Sequence, residues 1–357
     1  MQHARLIATL RRIGILAIAV SGVAYLAYVF FHEPGDDQGG DRLVISVYGV
    51  SQDSFRKNLY APFEAECGCT LVVETGNSAE RLSKLAARKN NPEVDLAVFS
   101  DFDALAALRR GLLDPIDVSR LSNYNKLYEF ARDPIGGHMA VGYTVYATGI
   151  VYRTDKVAIS SWRDLWSPSL KDRLVLPTLT SSGGPLLLQM LERAAGGSDP
   201  TFAGALAQVA ANKRSVVTFF ERSANLVQLF QQGEAWAAVT GRYNLPLLLR
   251  LNMPIAWASP SEGDAGGRNV LVLIKGSRRR ALALRFLDKW LSTEVQTAMA
   301  LDLVDSPANR EATLPPNVAS LLTYGPEMIE RMNFIAPAVV LDHRAAWTKA
   351  WNETIAR

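Results

Sequence analysis

Three strand-then-helix units follow one another between Leu43 and Arg110, and this succession restricts the fold more than any other feature of the chain. Leu43 to Val47 is a short apolar strand, and Tyr48-Gly49-Val50-Ser51 leaves its end ahead of an amphipathic run from Phe55 to Glu66. Leu71 to Val73 is a second strand; Glu74-Thr75-Gly76-Asn77-Ser78 follows, then a helix from Ala79 to Lys89 with Leu82 and Leu85 on one face. Asp95 to Phe99 is a third, with Ser100-Asp101 leading into a helix from Phe102 to Arg110. Such repetition predicts a mainly parallel sheet covered by helices. Ligands of such sheets sit beyond the carboxyl ends of the strands, which makes Tyr48, Gly49, Asn77, Ser78, Ser100 and Asp101 candidate site residues.

Met139 to Arg153, MAVGYTVYATGIVYR, breaks the rhythm with a long β-rich stretch containing Gly142 and Gly149, suited to a bent crossing strand. A second α/β region follows. Its strands are expected at Leu174 to Pro177, Val216 to Val217 and Ala235 to Val239, and its helices at Ser161 to Trp166, Leu186 to Arg193, Asp199 to Asn212 and Ser223 to Gln232. Between Leu174 and Gln189 an apolar strand delivers a Thr/Ser/Gly turn to a helix opened by Pro185, so unpaired N–H groups and the positive end of the helix dipole face outward. Thr180, Ser181 and Ser182 add hydroxyls, and Gly183 and Gly184 are read as glycines that let a ligand approach the backbone. A plain N-cap with a flexible turn is the alternative. Beyond it, Ile255 to Ala258 heads back, Ser259 to Gly267 is a loop before the strand Val270 to Ile274, and helices run from Arg280 to Leu291, from Thr293 to Leu301 and through Trp347 and Trp351. The 357 residues suit two domains of ordinary size or one large one.

Arg5, Arg11 and Arg12 precede an uncharged run from Ile13 to Phe31, and a Gly/Asp-rich linker follows. That is the pattern of an export signal; its length also suits an uncleaved anchor, with the rest of the chain outside the cytoplasm. Without the three arginines of the first 32 residues the chain holds 35 basic and 35 acidic side chains, a balance that gives no support for nucleic-acid binding. Cys67-Gly68-Cys69 holds both cysteines; a bridge would close a very small ring, and two thiolates among scattered histidines make a poor metal set. No nucleophile elbow, phosphate loop or His-Glu-x-x-His pattern is present, so binding without catalysis is expected rather than an enzyme.

From Leu43 onward the order of segments resembles the type II periplasmic solute-binding proteins of ABC importers, in the branch with polyamine, ferric-iron and aminoethylphosphonate receptors. The carriers are the run Gly142 to Lys156, Ser161-Trp162-Arg163-Asp164-Leu165-Trp166, Leu174-Val175-Leu176-Pro177, Phe230-Gln231-Gln232-Gly233-Glu234, Pro260-Ser261-Glu262-Gly263-Asp264 and Ser306-Pro307-Ala308-Asn309. The resemblance implies two α/β lobes, each a mainly parallel sheet flanked by helices, joined by crossing strands expected near Val141 to Tyr146 and Ile255 to Pro260. Lobe 1 is expected to take residues 42–142 and 259–308, and lobe 2 residues 143–258 and 309–357, after a signal at 1–32 and a linker at 33–41. It also implies a monomeric periplasmic protein that closes on a small solute and docks on a membrane permease, with no cofactor and no metal; a membrane-anchored sensor is the outlying alternative. Similar ferric receptors use adjacent tyrosines, which this chain lacks. Similar polyamine receptors place an acidic residue just after the Glu-Gly-rich loop, where Arg268-Asn269 stands, although Asp101, Glu221 and Glu262 remain as sources of negative charge. The leaning is to a phosphonate or carboxylate, with Arg222 or Arg242 as charge partner or else as a solvated surface charge, and a polyamine receptor of the same importer class is the alternative. Tyr143, Tyr243 and Asn269 complete the candidate set.

Overall fold

The computed structural model describes residues 42–221 and 224–356, so the expected signal and linker and the candidate Arg222 lie outside the described residues. Among the described residues there are eleven strands: β1 (Arg42–Val47), β2 (Thr70–Thr75), β3 (Leu96–Ser100), β4 (Leu113–Asp114), β5 (Val141–Arg153), β6 (Leu174–Pro177), β7 (Val216–Phe220), β8 (Ala237–Gly241), β9 (Ile255–Trp257), β10 (Asp264–Ile274) and β11 (Met332–Phe334). The principal helices are α1 (Ala61–Cys67), α2 (Ser78–Ala87), α3 (Asp101–Arg109), α4 (Gly183–Ala194), α5 (Ala203–Asn212), α6 (Ala224–Gln231), α7 (Arg280–Trp290), α8 (Thr293–Leu301) and α9 (Pro337–Thr354).

The strands run in the order β2-β1-β3-β10-β5-β8-β6-β7. The two ends of this path mirror each other. β1 pairs in parallel with β2 and β3, and β6 pairs in parallel with β7 and β8. Next to each triplet lies an antiparallel crossing strand, β10 beside β3 and β5 beside β8, and the two crossing strands pair antiparallel with each other. This is the two-lobe α/β plan that the sequence resemblance implies, with paired crossing strands between the lobes.

Period-2 alternation places successive strand residues in different cores. In lobe 1, Leu43 and Ile45 with Leu96 and Val98 face a core that holds Phe63, Phe286 and Trp290, whereas Val44, Ala97 and Phe99 face one closed by Leu82 and Leu85. In lobe 2, Leu174, Leu176 and Val239 face Leu187, Trp162 and Trp347, and Val175 and Ala238 face Leu226 and Phe230. Sheets covered on both faces explain why these strands read as continuous apolar runs; each buried Leu or Val contributes about 1.5–3 kcal/mol.

Several elements differ from expectation. The first helix continues back from α1 through a π-helical segment, Arg56–Tyr60, to Gln52. Pro62 carries no N–H to continue the i→i−4 ladder, and the wider register accommodates it. The second crossing strand is β10 and not Ile255 to Pro260, since β9 pairs only with β5. β10 also begins at Asp264, inside the segment expected to be a loop. Its Gly266 and Gly267 are strand residues whose missing side chains admit the rings of Phe334 and Tyr146. Gly142 and Gly149 serve β5 in the same way, against Ala131 and against Trp257 with Asp264. Cys67 and Cys69 form a disulfide.

Candidate solute-binding site

Strand register locates the crevice. β3 ends at Ser100 opposite Asn269 of β10, which is paired with Thr144 of β5. β8 runs the other way and ends at Gly241 opposite Thr148 of β5, which is paired with Ala265 of β10. The carboxyl ends of the two triplets therefore point at each other across a two-stranded ribbon, Thr144 to Thr148 and Ala265 to Asn269, about 13 Å long at the usual rise per residue. On the outer edges of this ribbon, Thr323 Oγ1 accepts from Ala147 N at 2.8 Å and β11 pairs with β10.

On the lobe 1 side the strand-end residues converge. Tyr48 is the first residue past β1, and its hydroxyl accepts from Ser78 Oγ at 3.2 Å. Ser78 opens α2, whose start is capped by Asn77 Oδ1 accepting from Glu80 N at 2.9 Å. Ser100 caps α3 and exchanges bonds with Asp103, its hydroxyl donating to Oδ2 at 3.0 Å and accepting from the Asp103 N–H at 3.2 Å. Asp103 also receives Arg344 Nη1 of α9 at 3.4 Å. Burial raises the Tyr48 hydroxyl above the ordinary tyrosine value against the bond from Ser78, and pushes Tyr143 and Tyr146 well above it. The same fields link Tyr48, Tyr143, Tyr146, Arg81, Asp101 and Asp103, so these groups share one polar cluster. Gly49 is exposed in the loop after Tyr48.

Asp101 is not a free carboxylate. Arg268 Nε donates to its Oδ2 at 2.6 Å, with the two side chains only 9% and 4% exposed, and Arg268 Nη1 donates to Phe130 O. Burial raises the Asp101 carboxyl overall, although Arg268 opposes it. Glu262 is likewise committed, accepting from Ser161 Oγ at 2.5 Å. Asn269 lies on the ribbon, half-buried.

The lobe 2 side is built differently. Ser181 Oγ donates to Thr178 O at 2.7 Å, and the Thr178 and Thr180 hydroxyls lie 3.0 Å apart. Ser182 makes no cap bond, and α4 begins at Gly183 rather than at Pro185. Gly184 does not open the backbone to a ligand: a Cβ there would lie 2.5 Å from Leu179 Cα, so the space belongs to the turn itself. Gly183 meets only ordinary contacts. Arg242 donates to Leu322 O at 3.0 Å and Ser320 O at 2.7 Å and lies over the Trp257 ring, which commits it to the segment that runs from Ser320 to Leu322. Tyr243 is 43% exposed and meets Tyr146 edge to face at 5.9 Å.

Arg81, Asp103, Tyr146 and Arg268 of this cluster are missing from the sequence-based set. Arg81 lies on the inner side of a helix whose start alone looked informative, and Arg268 looked like a substitution for an acid rather than a partner for one. Among the described residues no three His, Cys, Asp or Glu side chains converge as a metal set, and no helix is long and apolar enough to cross a membrane.

Residues 58–323 match the family model of the bacterial extracellular solute-binding proteins. Iron uptake protein A1 of Synechocystis is 24% identical over 337 residues, covering 88% of this chain and 90% of that protein. The spermidine/putrescine-binding periplasmic protein of Salmonella typhimurium is 24% identical over 277 residues, covering 76% and 77%. A crystal structure of an ABC transporter from Clostridium perfringens superposes with a TM-score of 0.80 at 28% identity, covering 88% of this chain and 99% of that one. With three quarters of its length inside the family model and this fold around facing strand ends, the chain belongs to the bacterial extracellular solute-binding proteins of ABC transport.

Proposed function

We propose that this protein captures a small organic anion, a phosphonate or carboxylate, between its two lobes outside the cytoplasm and delivers it to an ABC permease. The lobes are taken as residues 42–142 with 259–308 and residues 143–258 with 309–357. The observation that carries the choice of charge is the 2.6 Å Asp101–Arg268 pair. A receptor for an ammonium group needs an uncommitted carboxylate at the strand ends, and here the acid best placed for that role already has a buried guanidinium. Tyr48, whose proton is not used in its bond from Ser78, and the hydroxyls of Thr180 and Ser182 in the turn then supply neutral donors for an anionic group. The name of the Salmonella relative supports a second reading, a polyamine solute.

A thermal-shift screen of phosphonates, carboxylates, sugars and diamines against the full chain separates the two. A true solute at a hundred times its dissociation constant stabilises by about 2.7 kcal/mol. Stabilisation by diamines alone would replace the anion with a polyamine, and Ser181→Asp, which repels an anion and not a diamine, must then leave affinity intact or improve it.

A further inference from the structure

Lobe 1 contains a cation to which the family match and the sequence patterns give no role. Arg81 of α2 is 2% exposed, yet among the described residues no carboxylate lies within bonding distance of it. Its Nε donates to Gly76 O at 3.0 Å, and its Nη1 donates to Ser46 O at 3.1 Å and Val98 O at 2.6 Å. Ser46 and Val98 lie near the carboxyl ends of β1 and β3, the two central strands of the order β2-β1-β3. Between those strands the connections diverge to opposite sides, and there a doubly wound sheet opens a crevice to ligands. The guanidinium is thus buried at the switch point of lobe 1. Its Nη2, also buried, makes no hydrogen bond of ordinary geometry among the described residues, and the Tyr48 side chain is a polar neighbour that favours its charge. Tyr48 covers it with a ring whose centroid is 4.6 Å from Cζ, and Phe99 lies at 5.0 Å on the same group.

A buried guanidinium with no carboxylate bonded to it is costly, because a guanidinium does not shed its proton, carbonyl dipoles offset its charge only in part, and Asp103 acts on it only from a distance. A purely structural clamp on three carbonyls would use neutral donors at lower cost. Tyr48 adds a second element: its hydroxyl oxygen accepts from Ser78, which leaves its own O–H free to donate. The half-buried ring of Tyr48, the first residue past β1, lies over the guanidinium at the strand end.

We infer that Arg81 and Tyr48 form an anion subsite at the lobe 1 switch point, taking the phosphonate or carboxylate group of the solute with Arg81 Nη2 and the Tyr48 O–H as donors. This assignment rests on the organic-anion reading above and names the residues that would enforce it. Tyr48 is the movable cover, and Arg81 is the fixed charge beneath it.

The test uses three probes that share an alkylammonium and differ at the other end: 2-aminoethylphosphonate, 4-aminobutyrate and putrescine. Thermal-shift titrations of the full chain at constant ionic strength are expected to show saturable stabilisation by at least one of the two anionic probes and none by putrescine. Arg81→Met is expected to weaken the anionic probe at least about tenfold, Arg81→Lys to restore part of that loss, and Tyr48→Phe to weaken it about three- to tenfold. The unfolding midpoint without probe reads the structural clamp separately, and if Arg81→Met does not fold, Arg81→Lys and Tyr48→Phe carry the test. Anion affinity unchanged in the Arg81 variants, or in both Arg81→Lys and Tyr48→Phe, overturns the subsite while leaving organic-anion capture standing. Stabilisation of the wild type by putrescine alone, or by neither anion, overturns both.

Discussion

The two switch points are topological copies, yet they treat polar groups in opposite ways. Where β1 and β3 end, lobe 1 holds buried charge: Arg81 with a spare donor, the Asp101–Arg268 pair, and Asp103 shared between Ser100 and Arg344. Where β6 and β8 end, lobe 2 holds neutral groups that satisfy one another, Ser181 on Thr178 and Asn244 Nδ2 donating to Thr240 Oγ1 at 2.9 Å, and Arg242 there is tied to the carbonyls of Leu322 and Ser320. The same strand order can therefore carry charge selection on one wall and shape on the other. Buried charges need fixed partners, whereas a self-satisfied hydroxyl turn can meet a solute without leaving an ion exposed or unpaired.

Breaking the lobe 1 pair is the most damaging way to test this contrast. Arg268→Met leaves Asp101 buried without its partner and is expected to cost about 3–5 kcal/mol, read from urea unfolding at neutral pH. Asp101→Asn in the same chain should recover most of that loss, because the uncompensated charge is then gone. A single-variant loss below about 1 kcal/mol would mean that the pair does not hold lobe 1 together.

The ribbon gives a pH-dependent comparison, since each side keeps one acid whose carboxyl has a buried oxygen without a partner. Burial raises Asp305, beside Thr144, to about 7, and burial raises Asp264, which accepts from Trp257 Nε1 at 2.9 Å, to about 6. Both native values lie above the unfolded value of about 4, so the protonated acids favour the folded state. Their contribution is complete below about pH 4 and is lost as the pH rises through the native values. Urea unfolding in pH steps is expected to show stability falling by roughly 3–4 kcal/mol between about pH 4 and pH 7 on account of Asp305, with Asp264 adding to the fall between about pH 4 and pH 6. Asp305→Asn should abolish the fall between about pH 6 and pH 7 and reduce it below, whereas Asp264→Asn should reduce only the part ending near pH 6. A slope untouched by either variant would assign it to other groups.

How legible these features are in the sequence depends on how local their causes are. β6 is readable to the residue, Leu174 to Pro177, because an apolar run between polar turns has one reading as a buried strand. α8, Thr293 to Leu301, is equally plain behind its Ser292 cap. β10 is half hidden, because Gly266 and Gly267 signal a loop locally and owe their place in a strand to the rings of Phe334 and Tyr146, which come from distant parts of the chain. The strand-end candidates Tyr48, Ser78, Ser100 and Asp101 follow from topology alone, and the structure brings them to one side of the ribbon. Arg81 and Arg268 are not readable in that way, since what distinguishes them is the absence or presence of a carboxylate from another element.

The lobe 2 turn offers a sharper test within two adjacent residues. Gly184→Ala would drive a Cβ to 2.5 Å from both Leu179 Cα and Thr178 O, main-chain atoms that cannot swing aside, so a loss of about 1–3 kcal/mol is expected. Gly183→Ala meets Pro177 Cβ at 3.4 Å and gains helix propensity, so its unfolding free energy should stay level or rise by up to about 1 kcal/mol. If Gly183→Ala nevertheless weakens the solute found in the screen, the backbone there approaches the solute; equal affinity would restrict the lobe 2 wall to its hydroxyls.

The smallest effect concerns the helix that touches both walls. α9 is anchored in lobe 2, where Trp347 stacks on Phe202 at 4.9 Å and donates to Thr201 O at 2.7 Å. Its other side meets α3 of lobe 1 through Arg344–Asp103 at 3.4 Å and Arg109–Asp342 at 2.6 Å, a crossed pair of opposite polarity. Arg109–Asp342 is open to water on both partners and should disappear from a double-mutant cycle once salt is raised. Arg344–Asp103 is more sheltered, at 38% and 18% exposure, and its acid also holds the Ser100 hydroxyl at the end of β3. A coupling of about 0.5–1 kcal/mol is expected for that pair. The same cycle measured with saturating solute distinguishes two roles, because a contact that only packs α9 keeps its coupling when the site fills. A contact that reports on the crevice changes its coupling through the Asp103 carboxylate, and an unchanged value would confine α9 to holding the lobes together.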